Sequence, residues 1–306
     1  INIHNSGGHM KKNFKRRDFI KKAGVAAVAA TAVSSFPAPA IAADRLEVNC
    51  VGTWPRDYPG LGAGGQAVSQ RISDLSDGRI VVNHFSGGER VGPLDVFTEV
   101  SSGNAQMYDS ADYYWVGQHP GWGFFAAVPF GMIATEINGW IRHGGGQELW
   151  DELGDEFGLK NFMAGNSGVQ MGGWFNKEIN SPDDFKGLKM RIPGLGGMMM
   201  SKLGLSVVGM PGGQIYENLI NGTIDATEWV GPWNDERSRF YEAAKYYYWP
   251  GVHEPGTLIT RGCNKSWLTS LSKTDQLIIE HACTCLLYTS DAADEGLGVD
   301  LGGRRI

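Results

Sequence analysis

The position of Arg191 suits it to bind an anion. It lies near the end of an apolar alternation from Leu188 to Ile192, which predicts a strand, and a Pro-Gly turn follows at once. The end of such a strand lies at the rim of a sheet, where the ligands of α/β proteins collect. A guanidinium group there can hold a carboxylate through two parallel hydrogen bonds. A surface ion pair with Asp183 or Asp184 is the alternative that the sequence leaves open.

Glu228 and Trp229 lie in a second run of this kind. The residues from Ile224 to Val230 predict a strand, which places these two side chains at the edge of an expected cleft. A buried glutamate would repel an anionic ligand, so a cation between the two would resolve the conflict. A solvated carboxylate at the end of a strand is the alternative.

Tyr113 and Tyr114 precede Trp115 in a stretch rich in aromatic residues and glycine. Their hydroxyl groups are candidates to reach a ligand from the first half of the chain. Packing in the core fits the pattern equally well, because buried aromatic side chains contribute much of the packing energy of a protein.

The common enzyme signatures are absent from the sequence. The segment Gly165–Val169 lacks the last glycine of a nucleophile elbow, and Gly194–Met199 has methionine where a dinucleotide-binding motif needs its last glycine. No phosphate-binding loop and no H-E-x-x-H spacing occurs. The histidines of the body of the chain are scattered and predict no metal group: His84, His119, His143, His253 and His281. We therefore expect no catalysis, and an exported enzyme that uses Glu228 as a base is the rival hypothesis.

Strand and helix patterns alternate in two successive blocks, which predicts an α/β fold with two lobes. Predicted strands are 46–51, 80–85 and 106–109 in the first block, and 169–175, 188–192, 206–208 and 224–230 in the second. We expect lobe 1 to comprise residues 44–165 and 250–284, and lobe 2 residues 166–249. Strands that cross between the lobes would act as a hinge, with a ligand cleft between the lobes.

Both ends of the chain are expected to lie outside the folded protein. Residues 1–9 precede Met10 and are expected to be untranslated. Residues 10–43 combine a basic start that contains Arg16-Arg17, a short apolar run and a small-residue cleavage site, which predicts a signal peptide of the twin-arginine type. Residues 285–306 resemble the translation of a sequencing adapter, so we expect the native C-terminus to be missing.

Charge and cysteine content narrow the choice of partner. Residues 44–284 contain 28 acidic and 18 basic residues, a net charge of −10, which argues against a nucleic acid or an anionic membrane surface. An anionic ligand would therefore need a locally placed cation.

The cysteines have no C-x-x-C spacing, and a disulfide between Cys50 and Cys263 is one pairing that an exported protein could form.

Several motifs occur together between Gly168 and Gly256. In order, they are Lys189–Gly194 (KMRIPG), Pro211–Tyr216 (PGGQIY), Asn221–Trp229 (NGTIDATEW) and Ala243–Tyr248 (AAKYYY), with Val128–Gly131 (VPFG) upstream. This combination resembles the substrate-binding receptors of tripartite ATP-independent periplasmic (TRAP) transporters, in particular the branch that binds 2-oxo and 2-hydroxy monocarboxylates. The likeness covers most of residues 44–284 and implies a two-lobed periplasmic solute-binding fold.

The resemblance also implies a set of site residues. In that branch, a metal cation, usually sodium, is bound by residues that match the Glu228 carboxylate, the Trp229 carbonyl and the Gln170 amide. Oxygen ligands suit sodium or calcium. The residues expected to bind the substrate are Arg191, Gln170, Trp229, Tyr113 and Tyr114.

The resemblance implies that the protein binds its ligand and does not make or break any bond in it. Closure of the lobes would trap a small monocarboxylate, such as pyruvate, another 2-oxo acid or lactate, in the periplasm. The closed form would then be recognised by integral membrane subunits of a transporter. A partner of a chemoreceptor would share the same site, and a homodimer is left open.

Overall fold

A computed structural model of the chain describes residues 45–296, and the side chains of residues 45–284. The predicted signal peptide, the predicted untranslated residues and the side chains of the predicted adapter segment lie outside these described residues. Within residues 45–296, none of the helices combines the length and the apolar character needed to cross a lipid bilayer.

The described residues form ten strands, ten α-helices and four short 3-10 turns. The strands are β1 (Leu46–Gly52), β2 (Ile80–Phe85), β3 (Met107–Ser110), β4 (Leu159–Asn166), β5 (Gly173–Phe175), β6 (Lys189–Arg191), β7 (Ser206–Val208), β8 (Ala226–Thr227), β9 (Tyr246–Tyr248) and β10 (Leu258–Asn264). The helices are α1 (Gly62–Leu75), α2 (Val96–Ser101), α3 (Ala134–His143), α4 (Gly146–Glu156), α5 (Gly194–Lys202), α6 (Ile215–Ile220), α7 (Pro232–Arg237), α8 (Phe240–Ala243), α9 (Lys265–Ser270) and α10 (Lys273–Gly296).

The first sheet has the strand order β2-β1-β3-β10-β4. Its first three strands are parallel, and β10 runs antiparallel to both β3 and β4. Helices α1 and α10 contact each other, and they pack on β2 and β4 respectively. The buried core under these helices includes Val48, Ile72, Phe162 and Ile279.

The second sheet has the order β7-β6-β8-β5-β9 and is also mixed. Strand β6 is parallel to β7 and β8, whereas β5 is antiparallel to β8 and β9. Its separate core contains Phe175, Met190, Ile192 and Leu205. Two mixed sheets with helices confirm the predicted α/β class.

Two of the predicted strands are much shorter in the structure than in the prediction. Strand β5 begins only at Gly173 and not at Val169, and β8 comprises only Ala226–Thr227. The backbone N–H groups of Gln170, Met171 and Gly172 explain the first error, because they bond to three separate segments and not to one neighbouring strand. An apolar alternation cannot distinguish such a connection from a sheet ladder.

The chain passes between the two sheets at residues 167–172 and again at 249–257. These two connecting segments are hydrogen-bonded to each other: the Ser167 N–H donates to the Thr257 carbonyl at 2.9 Å, and the Gly251 N–H donates to the Gln170 carbonyl at 2.9 Å. Because β4 and β10 are paired and lead directly into them, the two segments leave the first sheet side by side. They bring their side chains to the same place between the sheets.

The disulfide considered between Cys50 and Cys263 is not formed. Both thiols are free and buried, as is that of Cys283. Cys50 and Cys263 each pair with Met107 of β3, on its opposite sides, so one strand lies between them. Two strand spacings amount to about 9–10 Å, beyond the roughly 7 Å between Cα atoms that a disulfide tolerates.

Asp112 anchors the turn that carries the two candidate tyrosines. It begins the 3-10 turn Asp112–Trp115 and is fully buried. Its carboxyl group accepts hydrogen bonds from the Trp150 indole at 2.7 Å, the Tyr108 hydroxyl at 3.2 Å and the Asn161 amide at 3.3 Å. Burial raises the pKa of Asp112 to about 7, although the hydrogen bonds from Trp150 and its neighbours oppose this shift.

The raised pKa of Asp112 predicts a change of stability with pH. The unfolded state ionises near its ordinary pKa of 3.8, and the folded state only near 7. The stability contributed by the protonated group is therefore complete below the lower value and is lost as the pH rises to the higher one. Urea unfolding of the wild type and of Asp112→Asn at pH 4.5 and 7.5 measures this contribution. We expect the variant to gain relative to the wild type at the higher pH, and an unchanged difference would contradict the assignment.

Candidate ligand and cation site

A buried ion pair between Arg191 and Glu228 lies at the centre of the site. The two side chains are 2% and 1% exposed, and Arg191 Nη1 donates directly to Glu228 Oε1. Burial opposes the charged guanidinium, but the charge of Glu228 and the interactions with Tyr114 and Tyr113 together outweigh it and raise the pKa of Arg191. Both alternatives considered from the sequence were wrong, because Arg191 is not a surface residue paired with an aspartate and Glu228 is not solvated.

The second sheet positions this pair. Arg191 ends β6, and the Glu228 N–H donates to the Arg191 carbonyl at 3.1 Å, directly after the two residues of β8. Arg191 Nε also donates to the carbonyl of Met210 at 3.3 Å. The backbone of neighbouring parallel strands therefore brings the two charges together at one rim of the sheet, as expected for a ligand site of an α/β protein.

Gln170 reaches the same place from the first connecting segment. Its amide nitrogen donates to Glu254 Oε2 at 2.8 Å, and to the hydroxyl oxygens of Thr257 and Ser167 at 3.1 Å each. Its amide oxygen is buried and has no hydrogen-bond partner among the described residues, and the same holds for Glu254 Oε1. Buried polar atoms without a partner are uncommon and call for an explanation such as a bound ion.

His253 and Glu254 are members of the site that sequence reasoning missed. Glu228, His253 and Glu254 are buried, and each offers one atom that could bind a metal ion. These three atoms lie within 4.8 Å of one another. His253 Nε2 lies 3.4 Å from Glu228 Oε2. The expectation that the histidines belong to no group able to bind a metal was therefore wrong for His253. Two adjacent polar residues, His-Glu, before a Pro-Gly pair were the only signal in the sequence.

The charge of Glu228 contributes to pKa shifts of both His253 and Glu254. Burial raises the pKa of Glu254 to about 8, and the charge of Glu228 adds to the rise. Burial alone would lower the pKa of His253, but the hydrogen bond and charge of Glu228 raise it overall. Ionisable groups with such mutual shifts concentrate at functional sites.

Aromatic side chains enclose the ion pair. The Tyr114 hydroxyl lies 3.5 Å from Arg191 Nη2, and the guanidinium lies over the Trp229 ring at 5.1 Å. Tyr113 packs edge-on against Tyr114, with ring centroids 4.7 Å apart. Gly194 lies against Tyr113 in the left-handed conformation, at a φ of 62°, and a Cβ atom there would approach the tyrosine to 2.7 Å. Glycine is therefore required where this tyrosine meets the start of α5.

Hydrogen bonds also connect the two sheets across the site. The Trp229 indole donates to the Tyr58 hydroxyl at 2.8 Å, and that hydroxyl donates to the Asn234 carbonyl at 2.7 Å. The Asn234 amide in turn donates to the Pro59 carbonyl at 2.8 Å. Residues that follow β1 are thus tied to residues that follow β8, which holds the two halves together.

Two spaces of very different volume border the ion pair. Five of the predicted site residues line a space of about 10 Å³, namely Tyr113, Tyr114, Gln170, Arg191 and Trp229. An adjoining cavity of about 350 Å³ shares Tyr114 and Arg191 and extends to Val207 and Met210. About 10 Å³ is scarcely enough for one water molecule. The space between the tyrosines and Gln170 is therefore too small for an organic ligand, whereas the adjoining cavity, which Arg191 also lines, has room for a small one.

All six residues predicted for the site converge in the structure. Gln170, Arg191 and Trp229 line one space with the two tyrosines, and Glu228 joins it through its contact with Arg191. Among these six residues, the structure adds a contact that was not expected, since Arg191 and Glu228 are paired with each other. Their separate roles, as a carboxylate clamp and a cation ligand, stay predictions.

Comparison with known proteins agrees with this site. Residues 51–287 match the model of the bacterial extracellular solute-binding protein family 7. The chain is 42% identical over 230 residues to the monocarboxylate 2-oxoacid-binding periplasmic protein of Nostoc sp. (strain PCC 7120), a match that covers 75% of this chain and 63% of that relative. The chain thus spans less than two thirds of the length of this relative.

Two solved structures are similar over most of the chain. The TRAP periplasmic solute-binding protein of Pseudoalteromonas atlantica T6c, with bound sodium and pyruvate, is 39% identical, with a TM-score of 0.79 and coverage of 84% of this chain and 78% of that one. The protein of Colwellia psychrerythraea, with bound calcium and pyruvate, is 40% identical, with a TM-score of 0.78 and coverage of 83% and 78%. The two-lobed fold and the resemblance to TRAP receptors are thereby confirmed.

The predictions of fold, resemblance and receptor class therefore agree with the comparisons, because the family comprises solute-binding proteins and not enzymes. On the strength of a match that covers most of its length, this chain belongs to the bacterial extracellular solute-binding protein family 7.

Proposed function

We propose that this protein is the periplasmic receptor of a TRAP-type transporter and captures a small 2-oxo monocarboxylate together with a metal cation. The buried pair of Arg191 and Glu228, beside the unpartnered oxygen of Gln170, is the observation that carries the proposal. Sodium or calcium together with pyruvate in two similar proteins supports this choice of ligands.

The charge balance supports joint binding of an anion and a cation. Arg191 is already neutralised by Glu228, so an added carboxylate would leave an uncompensated negative charge in a buried site. A cation contributes the compensating charge. Arg191 then turns from Glu228 to the ligand carboxylate, and Glu228 turns to the cation. Arg191 and Glu228 thus separate when the ligand anion and the cation bind together, and each buried charge keeps a partner of opposite sign.

The residues present fit a hard cation. Gln170 offers an amide oxygen that has no partner among the described residues. Glu228 offers a carboxylate in a cluster with Glu254, to which the Gln170 amide is bonded. The Trp229 carbonyl, which follows Glu228 directly, is the third ligand that we assign. Oxygen ligands of this kind suit sodium or calcium and not zinc. Sodium is our first choice and calcium the alternative.

Closure of two lobes would trap the ligand. We assign residues 44–165 and 250–284 to lobe 1 and residues 166–249 to lobe 2, a division supported by five strands of one sheet in each part. Tyr113 and Tyr114 would contact the ligand from lobe 1, and Arg191, Trp229 and Glu228 would bind from lobe 2. Closure is favoured only by contacts that both lobes make, so the bonds of Tyr58 to Trp229 and Asn234 are candidates for it.

Export and delivery complete the proposed role. The signal at residues 10–43 would direct the protein to the periplasm by the twin-arginine route, and integral membrane subunits of the transporter would recognise the closed form. Energy for transport would come from those subunits, because the sequence has no nucleotide-binding motif. A homodimer is compatible with this role and is not required by it.

The clamp role of Arg191 predicts a selective loss of affinity in Arg191→Lys. Lysine keeps the charge opposite Glu228 but cannot form two parallel bonds to a carboxylate. We expect pyruvate to bind about 10- to 100-fold more weakly, as for the loss of a charged hydrogen bond. Titration of tryptophan fluorescence with pyruvate in sodium buffer measures the change. Arg239→Lys is the matched control, because Arg239 is exposed and outside the site, and equal affinity in all three proteins would rule out the clamp.

The cation role of Glu228 predicts that Glu228→Gln still binds pyruvate but loses the dependence of this binding on sodium. Glu228→Gln keeps the shape and an oxygen that can accept from Arg191, but it removes the charge that attracts the cation. We expect pyruvate affinity to become independent of sodium in this variant, whereas the wild type binds more tightly in sodium than in potassium at equal ionic strength. Calorimetric titration in both buffers checks this, and a wild type indifferent to sodium and calcium would remove the cation from the proposal.

A further inference from the structure

The hydroxyl and carboxylate groups around Gln170 determine which way its amide points. The Ser167 hydroxyl donates to the Gly168 carbonyl at 3.0 Å, and the Thr257 hydroxyl donates to Glu254 Oε2. Both hydroxyl hydrogens are thus used elsewhere, and only the oxygens of these groups face the Gln170 amide. Glu254 Oε2 also accepts from this amide, at 2.8 Å.

The reverse orientation of the amide would be unfavourable. It would place the amide oxygen against Glu254 Oε2 and two hydroxyl oxygens whose hydrogens are used elsewhere. It would also leave the two amide hydrogens without partners in a buried site. Since the nitrogen and oxygen of a glutamine are distinguished by their hydrogen-bond partners, the network assigns the nitrogen to Glu254 and leaves the oxygen free.

We infer that Glu254, with the Thr257 hydroxyl, is a positioning residue that presents the Gln170 oxygen to the cation. The inference rests on the proposed function, because it concerns the same cation site. Glu254 bonds to the nitrogen of this amide and not to its oxygen, so the role that we assign to it is to hold the ligand group. Partners that orient the ligands of a metal in this way typically contribute about 10- to 100-fold to its affinity.

Two substitutions at one position separate this role from that of a buried charge. Glu254→Met has similar length but no acceptor, so the Gln170 amide loses its shortest bond and can turn. Glu254→Gln has no charge but keeps a carbonyl oxygen that can accept from Gln170 and from Thr257. We expect sodium to bind about 10- to 100-fold more weakly in the methionine variant. In the glutamine variant we expect a change of less than about threefold.

The measurement is the stabilisation of the full chain by added sodium at a fixed, saturating concentration of pyruvate. Thermal unfolding monitors it at constant ionic strength, with potassium as the balancing ion. Pyruvate affinity in sodium buffer provides a second readout, and it should fall in the methionine variant but change by less than about threefold in the glutamine variant. Thr257→Val, which removes one acceptor and conserves volume, should weaken sodium binding in the same direction. Asp235→Asn is the control, since this buried acid holds Trp174 and Tyr247 but does not contact Gln170.

The outcomes distinguish the inference from the proposed function. A wild type that binds pyruvate with sodium, combined with sodium affinity unchanged in Glu254→Met, would overturn the inference alone. An equal loss in Glu254→Gln and Glu254→Met would also overturn it, because charge and not orientation would then be responsible. A wild type that binds neither sodium nor pyruvate would overturn the proposed function, and the inference with it.

Discussion

The buried contact between Arg191 and Glu228 is the constraint on which the site depends. Two charges removed from water are tolerated only when each has a partner, and the loss of either one leaves a cost of about 3–5 kcal/mol. The pair lies where β6 and the residues after β8 meet, and the backbone bond from Glu228 to Arg191 fixes its geometry. Any ligand of Arg191 must therefore bring a substitute partner for Glu228, which is why an anion and a cation suit this site together.

The two connecting segments extend this arrangement to the first sheet. Residues 167–172 and 249–257 bond to each other and contribute Gln170, His253 and Glu254 to the cluster around Glu228. The segments through which the halves would rotate are thus also segments that carry site residues. In the proposed function, the same hydrogen bonds would couple ligand binding to the relative position of the two sheets.

The sequence was informative where local chemistry and periodicity agree. Strands β1, β2 and β7 fall within a few residues of their predicted positions, because their residues alternate with the period of a strand. The ordered motifs around Arg191 and Glu228 led to the family. The same periodicity was misleading at Val169–Gly172, where backbone groups bond to three different segments.

The sequence by itself determined the α/β class, the likeness to solute-binding receptors and six residues that meet in one site. Only the tertiary structure decided that Arg191 and Glu228 neutralise each other, that His253 and Glu254 join them, and that Cys50 and Cys263 stay apart. The reason is physical: periodicity and residue type report the local environment of a side chain. The partner of a buried charge or thiol depends instead on which distant strands and connections the fold places beside it.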